Sequence, residues 1–400
     1  MKILVVQDAD WTQKGPHQQH HLMERLSAEG HNIVVIAFNQ LWRNEKAGLI
    51  SRRKELYNVH RFYDDAKISV INPFFIKVTL IDYLSFWFSS RNEINKTIKE
   101  FKPDVVIGFT SIISCYWGAT IANKYHVPFI YYWTDVIHTL IPYSFLQPIG
   151  EYIEKRIIKK TRKVLAINEV LKECIINLGA DQLSTDVIPG GVDFEVFNSS
   201  KYDASELRRR FGIAEDETVL FFMGWIYEFS GLKEVIDSLS KIANPVKKVK
   251  ILVVGDGDYF SQLKSFVINK RMENRVILTG RRPYEEIPRL ISVSDICLLP
   301  AHRNEVMNDI VPIKMYEYLA MHKPVIATKL PGVIKEFGYN SGIMYVDRPE
   351  DVIDKVMTLS KEDIKKKRRM AEEFIKNYDW NKILGDFNEL LDHVIRNDVK

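Results

Sequence analysis

Short apolar runs rich in Val and Ile recur along the chain and alternate with longer segments whose apolar residues return every three to four positions. That alternation predicts a mostly parallel sheet with helices on both faces, the α/β class. In the first half the predicted strands are residues 2–7, 32–38, 104–109, 128–133, 163–168 and 186–189. A helix is predicted over 17–29, closed by Gly30 where glycine commonly ends helices. The alternation then restarts. Strands are predicted at 218–223, 250–254, 275–279, 295–299, 324–328 and 342–346, with helices near 232–243, 259–270, 284–293 and 310–321.

Between the two series lies a turn-rich stretch, 189–202, with little periodicity, and the linker is expected there. The pattern therefore predicts an N-terminal doubly wound domain over 1–193 and a C-terminal one over 194–378. A polar helical region follows residue 349, and a terminal helix over 379–400 is expected to pack back on the first domain. Doubly wound sheets bind ligands at the carboxyl ends of their strands, so two of them facing a central cleft suit a reaction that joins two molecules.

A length of 400 residues agrees with two domains, and 46% hydrophobic with 27% charged residues excludes a disordered chain. The formal charge of +4 is far below that of a whole-surface nucleic-acid binder, so no nucleic-acid partner is expected. Cys115, Cys174 and Cys297 show no paired spacing, which predicts buried thiols in a reducing compartment. The start, Met1-Lys2 leading into Ile3-Leu4-Val5-Val6 and then Asp8 and Asp10, is too short and acidic for a signal peptide, so a cytoplasmic chain is expected. The uncharged stretch 105–123 has membrane-spanning length, but Gly108, Thr110, Ser111, Ser114, Gly118 and Thr120 interrupt it, and a strand, a loop and a buried helix are predicted instead.

Several chemistries drop out on motif. No Gly-x-Gly-x-x-Gly follows the first strand, where only Gly15 stands between Asp8 and Pro16, and Gly255-Asp256-Gly257 is followed by Phe260 where a third glycine belongs. No Gly-Lys-Ser or Gly-Lys-Thr occurs. The triplets Asp8-Ala9-Asp10 and Asp256-Gly257-Asp258 resemble divalent-metal ligands, but each directly follows a strand, where Asp commonly begins a turn. His17, His20 and His21 include a pair on one helix face, yet no carboxylate completes a set, so no metal is expected. The favoured reading puts Gly15 and His17 at a polar helix start that faces phosphate oxygens.

The most informative segment is Asn308-Asp309-Ile310-Val311-Pro312-Ile313-Lys314-Met315-Tyr316-Glu317-Tyr318-Leu319-Ala320, in which two acids eight positions apart share one side of a predicted helix start. With Lys323-Pro324-Val325-Ile326-Ala327 behind it, this segment resembles the donor-site signature of retaining nucleotide-sugar glycosyltransferases of family 4, which have the two-domain GT-B fold. The resemblance extends to Val187-Ile188-Pro189-Gly190-Gly191-Val192-Asp193, Met223-Gly224-Trp225, Ser230-Gly231-Leu232, Val254-Gly255-Asp256-Gly257 and Gly15. It implies that Glu317 binds the nucleotide ribose. It also implies that Asp309, standing where the family has Glu, contacts the donor sugar, while Asp309 can equally cap the helix that Pro312 helps to start. Gly224 and Gly255 fall in the donor-binding turns.

The sequence departs from the family where an Arg and a Lys usually neutralise the diphosphate, since Trp225 and Ser230 stand there. An unpaired dianion is costly in a closed site, so Lys314, Lys233, Arg281 or Arg303 is expected to substitute, with Lys314 best placed. Thr134 and Asp135 end the strand where many relatives carry His and Asp, and His138 follows a turn later. Asp135, His138 and, from the start of the first helix, His17 are the expected acceptor-side residues, with Asp135 and Asp309 assigned to the reaction. The implied reaction moves a sugar from a nucleoside-diphosphate sugar to a hydroxyl acceptor with retention, in surface glycan, polysaccharide or lipid-linked glycan synthesis. The leaving diphosphate itself can take the acceptor proton, and neither cofactor nor metal is required.

On the acceptor side, Phe74, Phe75, Tyr83, Phe86, Trp87 and Phe88 precede a charge-poor region and a basic run of Lys155, Arg156, Lys159, Lys160, Arg162 and Lys163. These features point either to a peripheral seat on the inner face of the cell membrane or to core aromatics beside a solvated basic face. Two alternative functions remain at this point: a non-catalytic nucleotide-sugar-binding subunit and a nucleotide-sugar 2-epimerase of the same fold.

Overall fold

The computed structural model describes residues 1–12, 17–39, 42, 48–141, 143–242, 247–304, 307–308 and 311–396. The chain divides into two compact units, Met1–Pro189 with Trp380–Lys400, and Gly190–Asp379. In chain order the first contains β1 (Lys2–Val6), α1 (Gln18–Ala28), β2 (Asn32–Ile36), β3 (Ile50–Ser51), β4 (Lys54–Val59), β5 (Ile68–Asn72), β6 (Phe75–Ile76), α2 (Ile81–Phe101), β7 (Val105–Phe109), α3 (Ile113–Lys124), β8 (Phe129–Trp133), α4 (Gln147–Ile158), β9 (Lys163–Ala166), α5 (Glu169–Asn177) and β10 (Thr185–Val187). The large sheet runs β10-β9-β8-β7-β1-β2-β5-β4. All its pairings are parallel except β4 against β5. The antiparallel edge and the small β3–β6 ribbon are absent from the sequence reading, because β4 is half exposed and carries no clean alternation.

Alternate residues of these strands face opposite sides of the sheet. Ile3, Val5, Ile33, Val35, Ile107 and Tyr132 pack under α1, while Leu4, Val6, Val106, Phe129, Tyr131 and Trp133 pack under α2, α3, α4 and α5. The α1 side is completed by the end of the chain. Trp380, Ile383, Leu384, Phe387, Leu391 and Val394 of the last helix are buried in the same cluster as Leu22 and Leu26. At about 2 kcal/mol for each buried large apolar side chain, this helix is a substantial part of the first unit's core.

The second unit holds α6 (Ser205–Arg210), β11 (Glu217–Met223), α7 (Leu232–Ser240), β12 (Lys248–Val254), α8 (Phe260–Asn269), β13 (Val276–Leu278), α9 (Ile287–Ser292), β14 (Ile296–Leu299), α10 (Lys314–Ala320), β15 (Val325–Thr328), α11 (Pro331–Phe337), β16 (Ile343–Val346), α12 (Asp351–Thr358) and α13 (Lys361–Ile375). The chain then returns to the first unit as α14 (Trp380–Arg396). The six-stranded sheet is parallel throughout, in the order β13-β12-β11-β14-β15-β16. Two expectations are corrected here. The stretch 190–202 is part of the second unit rather than a free linker, because Val192 and Phe197 are buried in its core and the Val192 amide donates to the Tyr378 carbonyl at 2.8 Å. The helix expected from 310 begins at Lys314. Pro312 and Ile313 form a tighter entry turn in which Met315 N–H and Tyr316 N–H bond to carbonyls three residues back, at 3.0 and 2.9 Å.

Candidate functional site

In the second unit the carboxyl ends of β11, β12 and β13 lie side by side. Gly224 N–H donates to Val254 O and Gly255 N–H to Gly280 O, both at 3.0 Å. The two glycines are required by backbone shape and by space. Gly224 has φ +124°, and a Cβ there would sit 3.3 Å from the Lys314 ammonium. Gly255 has φ +146°, and its Cβ would lie 2.0 Å from the Gly224 carbonyl. Both sit in the left-handed region that side chains disfavour, which leaves the backbone bare at the strand ends.

Lys314, the first residue of α10, reaches across to this rim. Its Nζ donates to Met223 O at 3.0 Å and lies over the Phe222 ring at 4.2 Å from the centroid. The side chain keeps some exposed surface while its ammonium is enclosed, and loss of hydration pushes its pKa down to about 8, with Glu317 opposing the shift. Glu317 lies one turn along and is buried. Burial pushes its carboxyl up to about 7, against the hydroxyl of Tyr284, which donates to Oε1 at 2.6 Å, and against Lys314. Tyr318 fixes the strand end by accepting the Met223 N–H at its hydroxyl, 2.9 Å away. Tyr284 and Tyr318 escaped the sequence reading. Tyr318 lies within the signature, but nothing in sequence spacing shows where its hydroxyl points.

The other expected donor residues divide. Lys233 lays its ammonium over Phe266 of α8, 5.8 Å from the centroid, instead of joining Lys314. Arg281 follows Gly280 on the rim and is exposed, as is Arg303. Trp225 does not replace the missing cation, since its indole Nε1 donates to Asp258 Oδ2 at 3.1 Å. Ser230 is buried and its Oγ accepts the Tyr227 N–H at 3.0 Å. Asp309 and Gly15 lie outside the described residues. Among the described residues, then, Lys314 is the cation brought to Gly224.

The carboxyl end of the first sheet is built differently. The Asp8 carboxylate accepts N–H groups from Ile112, Ile113 and Ser114 at 3.2, 3.0 and 3.0 Å and so caps α3, and Asp10 accepts the amide and hydroxyl of Thr12, both at 2.8 Å. Asp8 is thus spent on a helix cap and Asp10 on a turn. In the second triplet Asp256 likewise accepts the Gly257 N–H at 2.8 Å. His17 is exposed at the start of α1 and its backbone N–H donates to His20 Nδ1 at 3.2 Å, while His20 is buried with Nε2 at 3.0 Å from Trp11 O. His21 is stacked between Phe62 and Trp380 at 5.0 and 4.9 Å. Burial pushes His20 down to about 4 and His21 to about 3, so these two are neutral core residues.

Beyond β8, Thr134 is tied by its amide to the Thr110 hydroxyl at 2.6 Å. Asp135 comes next and has no hydrogen-bond or ionic partner among the described residues; burial alone pushes its carboxyl up to about 6. His138 does have a partner. Its Nδ1 is hydrogen-bonded to Glu154 Oε2, and Glu154 is fully buried on α4. The other oxygen of Glu154 accepts Trp133 Nε1–H at 2.9 Å and the Tyr131 hydroxyl at 3.2 Å. That bond to the carboxylate is the main reason the His138 pKa is raised. Glu154 was missed from sequence because α4 presents it among cations, where it reads as one more surface charge.

Two doubly wound units, with a glycine-lined strand rim, a desolvated lysine and a buried glutamate in the second, define a protein of the GT-B glycosyltransferase class. The family models agree: residues 18–196 match "Glycosyltransferase Family 4" and residues 203–377 match "Glycosyl transferases group 1", and the chain belongs to this family. The crystal structure of Anabaena Alr3699/HepE in complex with UDP superposes with a TM-score of 0.71 over 98% of this chain and 100% of that one, at 17% identity. Among curated relatives, the 2-deoxystreptamine glucosyltransferase of Streptomyces kanamyceticus is 24% identical over 48% of this chain and 49% of its own length. The alpha-monoglucosyldiacylglycerol synthase of Streptococcus pneumoniae is 23% identical over 57% of this chain and 52% of its own. The chain spans about half the length of the curated relatives it matches.

Proposed function

We propose that the chain transfers a sugar from a nucleoside-diphosphate sugar to a hydroxyl acceptor, with retention of configuration, in the synthesis of a glycan or a lipid-linked glycan. The observation that carries this reading is the pairing of Lys314, enclosed against Gly224, with Glu317, held by Tyr284 one helical turn away. A diphosphate at the bare glycine rim meets an ammonium already stripped of water, and a ribose hydroxyl meets a carboxylate held in place by a tyrosine. Charge that develops on the leaving phosphate in the transition state is then met by a group that needs no reorganisation. The UDP complex of the Anabaena protein supports a uridine diphosphate sugar as the first donor to try, and the lipid synthase among the relatives supports a lipid-linked acceptor.

On the acceptor side, Asp135 is assigned to hold the incoming hydroxyl, and His138, oriented by Glu154, the neighbouring polar group of the acceptor. Orientation rather than a strong base supplies the catalysis, since the departing diphosphate accepts the proton. A cytoplasmic location with a peripheral seat at the inner membrane face belongs to the same reading; no helix among the described residues is long and apolar enough to cross a membrane. The reading is tested by following nucleoside diphosphate release from matched donors over a panel of soluble and lipid-linked acceptors, with the anomeric configuration of the product read by proton coupling. Acceptor-dependent release with a retained anomer supports it. Donor binding without release at any acceptor would leave the non-catalytic subunit, a reading favoured by the absence of cationic side chains at Trp225 and Ser230.

A further inference from the structure

The helices on one face of the first unit's sheet carry two matching stripes that the site does not use. On α2, Leu84, Phe88 and Arg91 fall at i, i+4 and i+7 and so lie on one face of the helix. At α4, Phe145 in the entry turn is followed by Ile149, Tyr152, Arg156 and Lys160 at the same spacing. Leu84, Phe88, Phe145, Ile149 and Tyr152 are each more than half exposed. Both stripes are apolar at the helix N-terminal end and cationic further along. Each helix ends a few residues before the strand it feeds, so both N-terminal ends lie at the sheet's carboxyl rim, the rim that also bears Asp135 and His138.

Between the stripes α3 packs against both helices and joins them through aromatic rings. Trp87 of α2 stacks on Tyr116 of α3 at 5.2 Å. Arg91 lies over Trp117 at 5.1 Å, Lys160 over Tyr116 at 5.1 Å, and Arg156 over Tyr152 at 5.3 Å. Cationic groups held over aromatic rings make a mixed cationic and aromatic surface of the kind that suits a membrane interface. The charge balance points the same way. Of the carboxylates on these three helices, Asp82, Glu93 and Glu154 are buried, while Glu100 and Glu151 are each taken by a lysine on the neighbouring turn, at 4.0 and 2.6 Å. Arg91, Arg156 and Lys160 have no ion-pair partner among the described residues. The expectation that the aromatics are simply core holds for Phe75 and Phe86, which are fully buried, and fails for Phe74, Tyr83 and Phe88.

We infer that the outer face of α2, α3 and α4 is a docking surface for an anionic phospholipid bilayer, with Leu84, Phe88, Phe145 and Ile149 entering the headgroup boundary and Arg91, Arg156 and Lys160 on lipid phosphates. This seats the rim bearing Asp135 and His138 against the membrane, where a lipid-linked acceptor presents its hydroxyl. The inference rests on the first unit being the acceptor side, and its test is separable from the donor reading.

The test is co-sedimentation of the full chain with vesicles of phosphatidylcholine alone and of phosphatidylcholine mixed with phosphatidylglycerol. The chain is expected to pellet with the mixed vesicles, not with phosphatidylcholine alone, and to be released by salt. The double variant Arg156→Glu, Lys160→Glu is expected to weaken that binding by about thirtyfold, and Leu84→Ser with Phe88→Ser by about tenfold. Both variants should keep the wild-type melting temperature and the wild-type thermal shift with donor, which shows that the fold and the donor site are intact. Equal pelleting with both vesicle types, no pelleting with either, or unchanged binding in the two variants would overturn the inference. So would a wild-type dimer that the Leu84→Ser, Phe88→Ser variant dissociates without any vesicle binding, since the face would then belong to a second copy. Pelleting with mixed vesicles in a chain that no nucleotide sugar stabilises would uphold the docking surface and remove the donor reading instead.

Discussion

The two units use the same sheet plan and solve the same problem, titratable groups at the carboxyl ends of the strands, in opposite ways. In the second unit two buried groups of opposite charge compensate each other. Lys314 is pushed down and Glu317 up by loss of hydration, and each is the other's counter-charge. In the first unit Asp8 is held by three backbone N–H groups and His138 pairs with Glu154, while Asp135 has no hydrogen-bond or ionic partner among the described residues. The difference teaches where each unit is prepared for a ligand. The second unit holds a balanced pair that an anionic ligand would unbalance in its favour, and the first holds an acid whose charge no described residue offsets.

The largest expected effect is at Glu154. Its replacement by Ala leaves the His138 ring, the Trp133 N–H and the Tyr131 hydroxyl facing a void, and removing one partner of a buried charged pair costs about 3–5 kcal/mol. Urea unfolding of Glu154→Ala should show that loss in the first unit's transition, and Glu154→Gln, which keeps acceptors for the indole and the hydroxyl, should recover much of it. A loss below about 1 kcal/mol would mean that the pair does not organise this rim.

Next comes Lys314→Met, which keeps the stem over Phe222 and removes the charge. Donor affinity should fall by about ten- to a hundredfold in calorimetry, the usual worth of a charged hydrogen bond. The wild type adds a sign. A lysine depressed to about 8 gains stability only above its unfolded pKa and loses it as pH falls through 8. A diphosphate reverses that cost by raising the pKa, so donor binding near pH 8 should take up protons from the buffer. Titrations in buffers of different ionisation enthalpy measure this uptake, and Lys314→Met should abolish it.

The smallest effect is at Asp135. A carboxyl raised to about 6 contributes stability that is complete below its unfolded pKa and is lost as pH rises through 6. Asp135→Asn should therefore stabilise the first unit at pH 8 by on the order of 1 kcal/mol, with no gain at pH 4. Turnover should fall in the same variant while donor affinity stays unchanged, which would sharpen the contrast between the two rims.

Apolar periodicity announced both sheets, because strands buried on two faces are near-continuous Val and Ile runs such as residues 3–6 and 251–254. It missed β4 and the β3–β6 ribbon, which lie at edges and bury little. Lys314, Glu317, Gly224 and Gly255 could be grouped from the sequence because the resemblance fixes residue type and spacing there, and the structure brings Lys314 to Gly224 with Glu317 one helical turn further along. Lys233 was misplaced because sequence spacing cannot tell a cation beside a phosphate site from one resting on Phe266. Tyr284, Tyr318 and Glu154 were invisible for a related reason: each acts across the fold, on a partner 33, 95 and 16 residues away respectively.

The central claim is that the rim of Gly224, Lys314 and Glu317 binds a nucleoside-diphosphate sugar. Thermal unfolding of the wild type and of Glu317→Ala against a panel of uridine and guanosine diphosphate sugars tests it most directly, because only a ligand of the native state stabilises by mass action, by about 2.7 kcal/mol at a hundred times its Kd. The account predicts that at least one donor raises the melting temperature of the wild type and that Glu317→Ala loses most of the rise. No stabilisation by any nucleotide sugar, or an equal rise in the variant, would contradict it.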